Sequence, residues 1–306
     1  MSVAKSDVVI FTAADTRFFS MCLGLVLSLL RLARTPPRIR VLDLGLSPVQ
    51  VQTLTPLVEQ ILRPEWYSKA ERDLPLTFRG LTARPHLPRY VNDAEILVWL
   101  DADTWVQEWS AVATLIADAR SGGMAIVEEQ RGPGVSIETV QPDGTTRPFK
   151  ITAESMERAV RRCYRDCFGA EAEAKYGGMA NFNGGVWALR RESPSWAVYG
   201  ELIEAGLSRS VHPLVEQQAL NIAIRSGRIA VAPQPMTSNY VMNHALPWID
   251  TDNARFVMPR PPHETIGILH LNDLKEFSTL VLQCLPSGRK ALVPIHFLDL
   301  VAGARS

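Results

Sequence analysis

Apolar and polar positions fall into blocks along the first third of the chain. Val8–Thr12 is a short β-rich apolar run, which predicts a buried strand. The next run, Phe18 to Leu30, is the most hydrophobic in the protein and predicts a helix over 18–33, apolar nearly all round and therefore buried. Pro36-Pro37 stops it. Arg38–Leu44 reads as a second strand. Ser47-Pro48 opens another helix, with Ser47 as N-cap and Pro48 at the first helical position. Ile96–Leu100 is a continuous apolar run that ends at Asp101. Strand, helix, strand, helix, strand predicts an α/β chain with a mostly parallel sheet and helices on both faces. Ligands of such sheets gather at the carboxyl ends of the strands. Asp15 and Asp101, each just past a strand, are thus placed on the functional edge.

The middle of the chain has a different rhythm. Met124–Val127 reads as a short strand. Val135–Val140 and Thr146–Ile151 flank the turn signal Pro142-Asp143-Gly144 and predict a β-hairpin. Thr152–Phe168 predicts a helix with Thr152 as N-cap. Residues 130–178 therefore read as a hairpin-and-helix lobe inserted into a single domain over 1–275, with a helical extension over 276–306. Further on, Gly177-Gly178 leads into Ala180–Leu189, which holds Asn181-Phe182-Asn183-Gly184-Gly185; a helix is expected over Leu214–Ser226, and a strand at Ile266–Leu271 that ends near His270.

Composition narrows the possibilities. Hydrophobic residues are 46% and charged residues 21%, ordinary globular usage that excludes wholesale disorder, a collagen-like chain or a coiled coil. Lys+Arg and Asp+Glu are both 32, and this zero balance argues against nucleic acid as a general partner. A helix over Phe18–Leu30 would be roughly 20 Å long, short of the ~30 Å hydrocarbon core. The first apolar run leads into Asp15-Thr16-Arg17 and lacks a signal-peptide cleavage pattern. Cys22, Cys163, Cys167 and Cys284 are scattered and read as structural thiols. A cytoplasmic protein fits this usage.

The strongest chemical signal is Asp101-Ala102-Asp103. Two carboxylates two residues apart at the end of a buried strand can converge on one hard cation, Mn²⁺ or Mg²⁺, which will also take diphosphate oxygens. The same Leu100-Asp101-Ala102-Asp103-Thr104 fits the hydrophobic-DxDxT pattern of haloacid-dehalogenase phosphohydrolases. That pattern usually demands a later strand with an acidic cluster, which is not evident in this chain.

Taken in order, six segments resemble the A-type (GT-A) glycosyltransferase fold, and within it the family-8 retaining enzymes of the glycogenin and lipooligosaccharide galactosyltransferase type. They are Phe11-Thr12-Ala13-Ala14-Asp15, Ala83-Arg84, Asp101-Ala102-Asp103, Asn181-Phe182-Asn183-Gly184-Gly185-Val186, Glu216-Gln217-Gln218-Ala219-Leu220-Asn221, and Leu269-His270-Leu271. The resemblance implies a metal-dependent transferase acting on a nucleotide sugar, a UDP-sugar first of all, with retention at the anomeric carbon. Asp101, Asp103 and His270 would hold the cation. Ala13, Asp15 and Phe18 would meet the base, with Asp15 accepting from the uracil imide and Phe18 stacking. Arg84, Asp101 and Ala102 would contact phosphate or sugar, and Asn183, Gly184 and Gly185 would face the donor sugar. Gln217 would stand near the anomeric carbon, and Glu216 would bond a donor hydroxyl. Lys275 would serve the diphosphate, although it is shifted about one residue from the family position. Where the family has acids on both sides of the glutamine, this chain has Glu216 and Gln218. A non-catalytic nucleotide-sugar-binding protein is a further alternative.

Two surfaces carry expectations about partners. Arg158, Arg161, Arg162 and Arg165 share one helical face and read first as a solvated face paired with Glu154 and Glu157, second as a site for an anionic acceptor or lipid headgroups. The apolar stretch Leu280–Val301 is expected as a packed terminal helix or a peripheral contact with the inner face of a membrane. The acceptor is expected to be a glycan or a lipid-linked hydroxyl.

Overall fold

A computed structural model describes residues 7–65, 67, 74–76, 78–130, 132–140 and 146–303. The strands and helices run β1 (Val8–Ala14), α1 (Phe19–Leu32), β2 (Arg38–Asp43), α2 (Pro48–Leu54), β3 (Gln60–Leu62), α3 (Phe78–Thr82), β4 (Ile96–Leu100), β5 (Thr104–Val106), α4 (Trp109–Arg120) and β6 (Met124–Glu128). The inserted lobe follows as β7 (Gly134–Val140), β8 (Thr146–Thr152), α5 (Ala153–Cys163) and α6 (Ala170–Tyr176). Then come β9 (Phe182–Arg190), α7 (Ser195–Leu207), α8 (Val215–Arg225), β10 (Val231–Gln234), β11 (Tyr240–Val241), β12 (Trp248–Asp250), β13 (Arg255–Val257) and β14 (Ile268–His270). The chain closes with β15 (Thr279–Leu285), β16 (Lys290–Pro294) and α9 (Phe297–Gly303).

The main sheet has seven strands in the order β10-β6-β9-β4-β1-β2-β3. All its pairings are parallel except the two made by β9, which runs antiparallel to β4 and to β6. The α/β expectation therefore holds. Period-two alternation assigns the faces: Val9, Phe11, Leu97 and Trp99 enter one core with α7 and α8, while Ile10, Ile96, Val98 and Leu100 enter the other with α1 and α4. Burial on both faces explains why β4 reads as an unbroken apolar run.

Local signals agree with the structure in detail. Ser47 accepts from the Gln50 N–H, and Gln50 returns the bond to the Ser47 N–H, a capping box with Pro48 behind it. Thr152 and Ser155 do the same for α5. The hairpin β7–β8 forms with Val135 opposite Ile151, while the turn residues Pro142-Asp143-Gly144 lie outside the described residues. The helix expected to run to Phe168 changes to a π turn over Tyr164–Phe168. All four cysteines are buried free thiols. Among the described residues no helix is long and apolar enough to cross a membrane.

One expectation fails. The segment after 276 is not a helical extension: β15 and β16 form an antiparallel hairpin, and among its described residues only the short α9 is helical. The cause is alternation hidden by composition. In Thr279–Leu285, Leu280, Leu282 and Cys284 point into a core, yet the outward Val281 is apolar too and 55% exposed. The Arg289-Lys290 break that interrupts the apolar stretch is the end of the hairpin turn.

Candidate active site

Two strand pairings build the site. Asp101 follows β4, and its N–H donates to the Gly185 carbonyl of β9 at 2.7 Å. The chain then turns, with the Thr104 N–H and hydroxyl both donating to the Asp101 carbonyl, and enters β5. β5 pairs antiparallel with β14 so that Thr104 faces His270. Residues far apart in sequence thereby meet at one corner. Ligand atoms of Asp101, Asp103 and His270 all lie within 4.8 Å of one another.

The donor set fits a divalent cation. Two carboxylates and one imidazole suit Mn²⁺ well and Mg²⁺ less strongly. The backbone beneath them is shaped for close approach: a Cβ on Gly185 would stand 2.4 Å from His270 Cε1 and 2.8 Å from Asp101 Oδ2. Asp101 uses Oδ1 for its own anchoring, accepting from Trp99 Nε1 at 2.8 Å and from Arg84 Nη2 at 2.5 Å. Asp103 has His270 Nε2 at 3.4 Å and Lys275 Nζ at 3.4 Å. Burial alone would raise the Asp103 carboxyl, but His270 and Lys275 together hold it down to about 2. Against the same burial, Asp103 keeps the His270 imidazole above its ordinary value.

A second corner forms around Glu216 in the first turn of α8. Its Oε2 accepts from Arg84 Nη1 at 2.9 Å, and both side chains are buried. Arg84 Nη1 also donates to the Gly184 carbonyl, and the guanidinium lies 4.6 Å above the Trp99 ring. Arg84 is thus not a surface ion pair; buried in the floor, it ties Asp101 to Glu216. Burial pushes the Glu216 carboxyl up to about 7 despite Arg84.

One cleft of about 1070 Å³ joins these corners. Ala13, Asp15, Phe18, Arg84, Asp101, Ala102, Asp103, Asn183, Glu216, Gln217, His270 and Lys275 all line it. Gly184 and Gly185 are buried beneath the floor. Gln217 accepts from the Gly184 N–H at 3.3 Å. Lys275 sits 5.3 Å from the Phe18 ring centre, so the shifted lysine still reaches the metal corner. The Asp15 carboxylate accepts from the N–H groups of Arg17 and Phe18 and from the Arg17 guanidinium, which makes it a turn-former at the start of α1. Phe149, Ile151, Met156 and Val160 bring the inserted lobe into the opposite wall. The arginines on α5 pair with acids one turn earlier, Arg158 with Glu154 and Arg161 with Glu157, as the solvated-face reading expects.

Sequence reasoning missed several polar residues of the floor. Glu129 accepts from Asn183 Nδ2 at 2.5 Å and lies 3.5 Å from His244 Nε2. Asn243 and Asp273 exchange two hydrogen bonds. Glu129 was accessible to the strand-end rule, since it follows β6 as Asp101 follows β4. Asn239, Asn243 and His244 carry no spacing signal.

Comparisons with known proteins agree with the fold. No family model and no curated sequence matches the chain. Among solved structures it is similar to the galactosyltransferase LgtC in complex with donor and acceptor sugar analogs, at 17% identity and TM-score 0.52, covering 86% of each chain. It is also similar to mouse xyloside xylosyltransferase 1 in its apo form, at 12% identity and TM-score 0.52, covering 87% of this chain and 97% of that one. The chain has the GT-A glycosyltransferase fold.

Proposed function

We propose that the protein is a metal-dependent glycosyltransferase that moves a sugar from a nucleotide sugar, most directly a UDP-sugar, to a hydroxyl of a glycan or lipid-linked acceptor, with retention. The observation that carries this reading is the Asp101–Asp103–His270 corner at the carboxyl edge of a GT-A sheet, opening into a cleft large enough for two substrates. A cation held there would offset charge on the leaving diphosphate.

The chain's own residues supply the rest. Lys275, already beside Asp103, adds a second positive charge on the diphosphate side. Ala13, Asp15 and Phe18 border the end of the cleft where the base would lie. Gln217 offers an amide rather than a carboxylate at the floor, which suits stabilisation of a positively charged anomeric centre without a covalent sugar intermediate. Glu216, whose Oε1 has no hydrogen-bond partner, presents an acceptor to sugar hydroxyls, while Asn183 lines the same part of the cleft. Action in the cytoplasm, at or near the inner membrane face, accords with a lipid-linked acceptor.

The test is calorimetric titration of UDP into chelator-stripped protein with and without Mn²⁺. Binding is expected only with the metal, and Asp103→Ala is expected to remove the metal response and to lower transfer at least ~10³-fold, ~4 kcal/mol of barrier. Metal-independent binding that survives Asp103→Ala would overturn the reading. Tight binding with no turnover across acceptors would turn it into a binding protein.

A further inference from the structure

His270 has two ring nitrogens, and only one of them faces the carboxylates. Nε2 lies 3.4 Å from Asp103 Oδ1, while Nδ1 points the other way, to Asn239 Oδ1 at 3.1 Å. In a neutral imidazole one nitrogen carries the proton and the other the lone pair, and only the lone pair can bind a cation. Without a cation Asp103 can accept a proton on Nε2, so what draws the proton to Nδ1 instead is a question about Asn239.

The structure answers it through a chain of buried hydrogen bonds. The Gly185 N–H, which can only donate, meets Asn183 Oδ1 at 2.8 Å. The other end of that amide, Nδ2, donates to the Glu129 carboxylate at 2.5 Å. These two partners leave Asn183 a single orientation, with its oxygen toward Asn239. Asn239 must answer with its NH₂, and it does so at 2.9 Å. Its carbonyl oxygen is then the only end left for His270, and a carbonyl can only accept. Asn183, Asn239 and His270 are all under 5% exposed, so water is poorly placed to repair a reversed amide. Backbone geometry holds the relay in register, because β11 begins at the residue after Asn239 and pairs parallel with β14, Val241 beside His270.

We propose that Asn239 is a positioning residue: it selects the Nδ1–H tautomer of His270 and so directs the Nε2 lone pair at the cation. Glu129 and Asn183 act through it, as the groups that set its amide. This inference rests on the metal-site reading above. Partners of this kind commonly change metal affinity by about 10–100-fold when removed.

The experiment has two arms. In ¹⁵N-histidine-labelled metal-free Asp103→Ala protein, where the competing acceptor on Nε2 is gone, at a pH where the ring is neutral, the ring nitrogen shifts of His270 are read, assigned by their loss when His270→Gln is added. A protonated Nδ1 is expected; an Nε2–H ring would overturn the proposal without any variant of Asn239 being needed. In the second arm Mn²⁺ alone is titrated and free ion counted by electron paramagnetic resonance. Asn239→Leu is expected to weaken binding about 10–100-fold. Asn239→Asp, which keeps an acceptor on Nδ1, is expected to retain the tautomer and most of the affinity. Equal affinity for wild type and Asn239→Leu, with binding still lost in Asp103→Ala, would overturn the relay while leaving the metal site standing. If wild-type Mn²⁺ binding were indifferent to Asp103→Ala, the metal site itself would fall, and the relay with it.

Discussion

Two buried carboxylates share the floor of the cleft, and the fold treats them in opposite ways. Asp103 has two nitrogen partners close by, His270 and Lys275, and is held ionised down to about 2. Glu216 has one guanidinium, already shared with Asp101 and a backbone carbonyl, and is pushed up to about 7. Burial is nearly the same for both, 7% and 2% exposed. The difference comes from how many positive partners each has, how far those partners are committed elsewhere, and the like charge of Asp101, which raises Glu216 further. One corner is thereby ready for a cation. The other holds a carboxyl that can accept or donate a hydrogen bond near neutral pH.

The comparison can be broken most forcefully at Arg84. Arg84→Met leaves Glu216 and Asp101 without their shared counterion, and breaking a buried pair in this way costs about 3–5 kcal/mol. Urea unfolding measures it, and Glu216→Gln in the same background is expected to recover part of the loss. A cost below about 1 kcal/mol, the range of an exposed pair, would show that the corner is not closed to water.

Next in size are the two glycines under the floor, which separate the corners sterically. Gly185→Ala drives a methyl against His270 and Asp101, whereas Gly184→Ala meets Arg84 and Glu216 only at 3.3 Å. The first is expected to cost about 1–3 kcal/mol and to abolish the Mn²⁺ response. The second is expected to cost less and keep that response. Thermal melts with and without Mn²⁺ separate the two, and equal effects would contradict the geometry.

The same contrast can be read in the pH profile. The Glu216 carboxyl is raised from an ordinary 4.5 to about 7, so the folded state binds its proton more tightly. Its contribution is fully present below about 4.5 and is lost as pH rises through 7. Asp103 is lowered from 3.8 to about 2, so its contribution is present above 3.8 and is lost as pH falls toward 2. Melting temperature against pH should therefore lose its decline between 4.5 and 7 in Glu216→Gln, and lose part of its acid limb in Asp103→Asn. A Glu216→Gln profile parallel to wild type across that window would refute the assignment for Glu216.

How much of this was legible in the sequence depended on whether a residue's partner was local. Ser47 and Thr152 cap helices that begin at the next residue, and both are visible in four letters. β4 shows itself because burial on both faces leaves only apolar residues, and Asp101 gains meaning from standing at its end. Arg84 was visible as an arginine but not as a buried tie, since Asp101, Gly184 and Glu216 come from three other elements. Asn239 has no pattern at all; its role exists only once β11 lies beside β14. The hairpin of β15 and β16 was hidden by an apolar residue on its solvent side, where a polar one would have revealed the alternation. The inserted lobe was legible as hairpin and helix, but not as a wall of the cleft, because lobe placement is a tertiary fact.

The pairing of β5 with β14 has a consequence for how the protein comes into being. A nascent chain that has emerged from the ribosome through β9 already carries six of the seven strands of the main sheet and both aspartates. Until β11 and β14 follow, it has neither His270 nor the asparagine that orients it. The cation corner is therefore among the last parts of the molecule to be completed during synthesis, long after the scaffold that carries it can have formed.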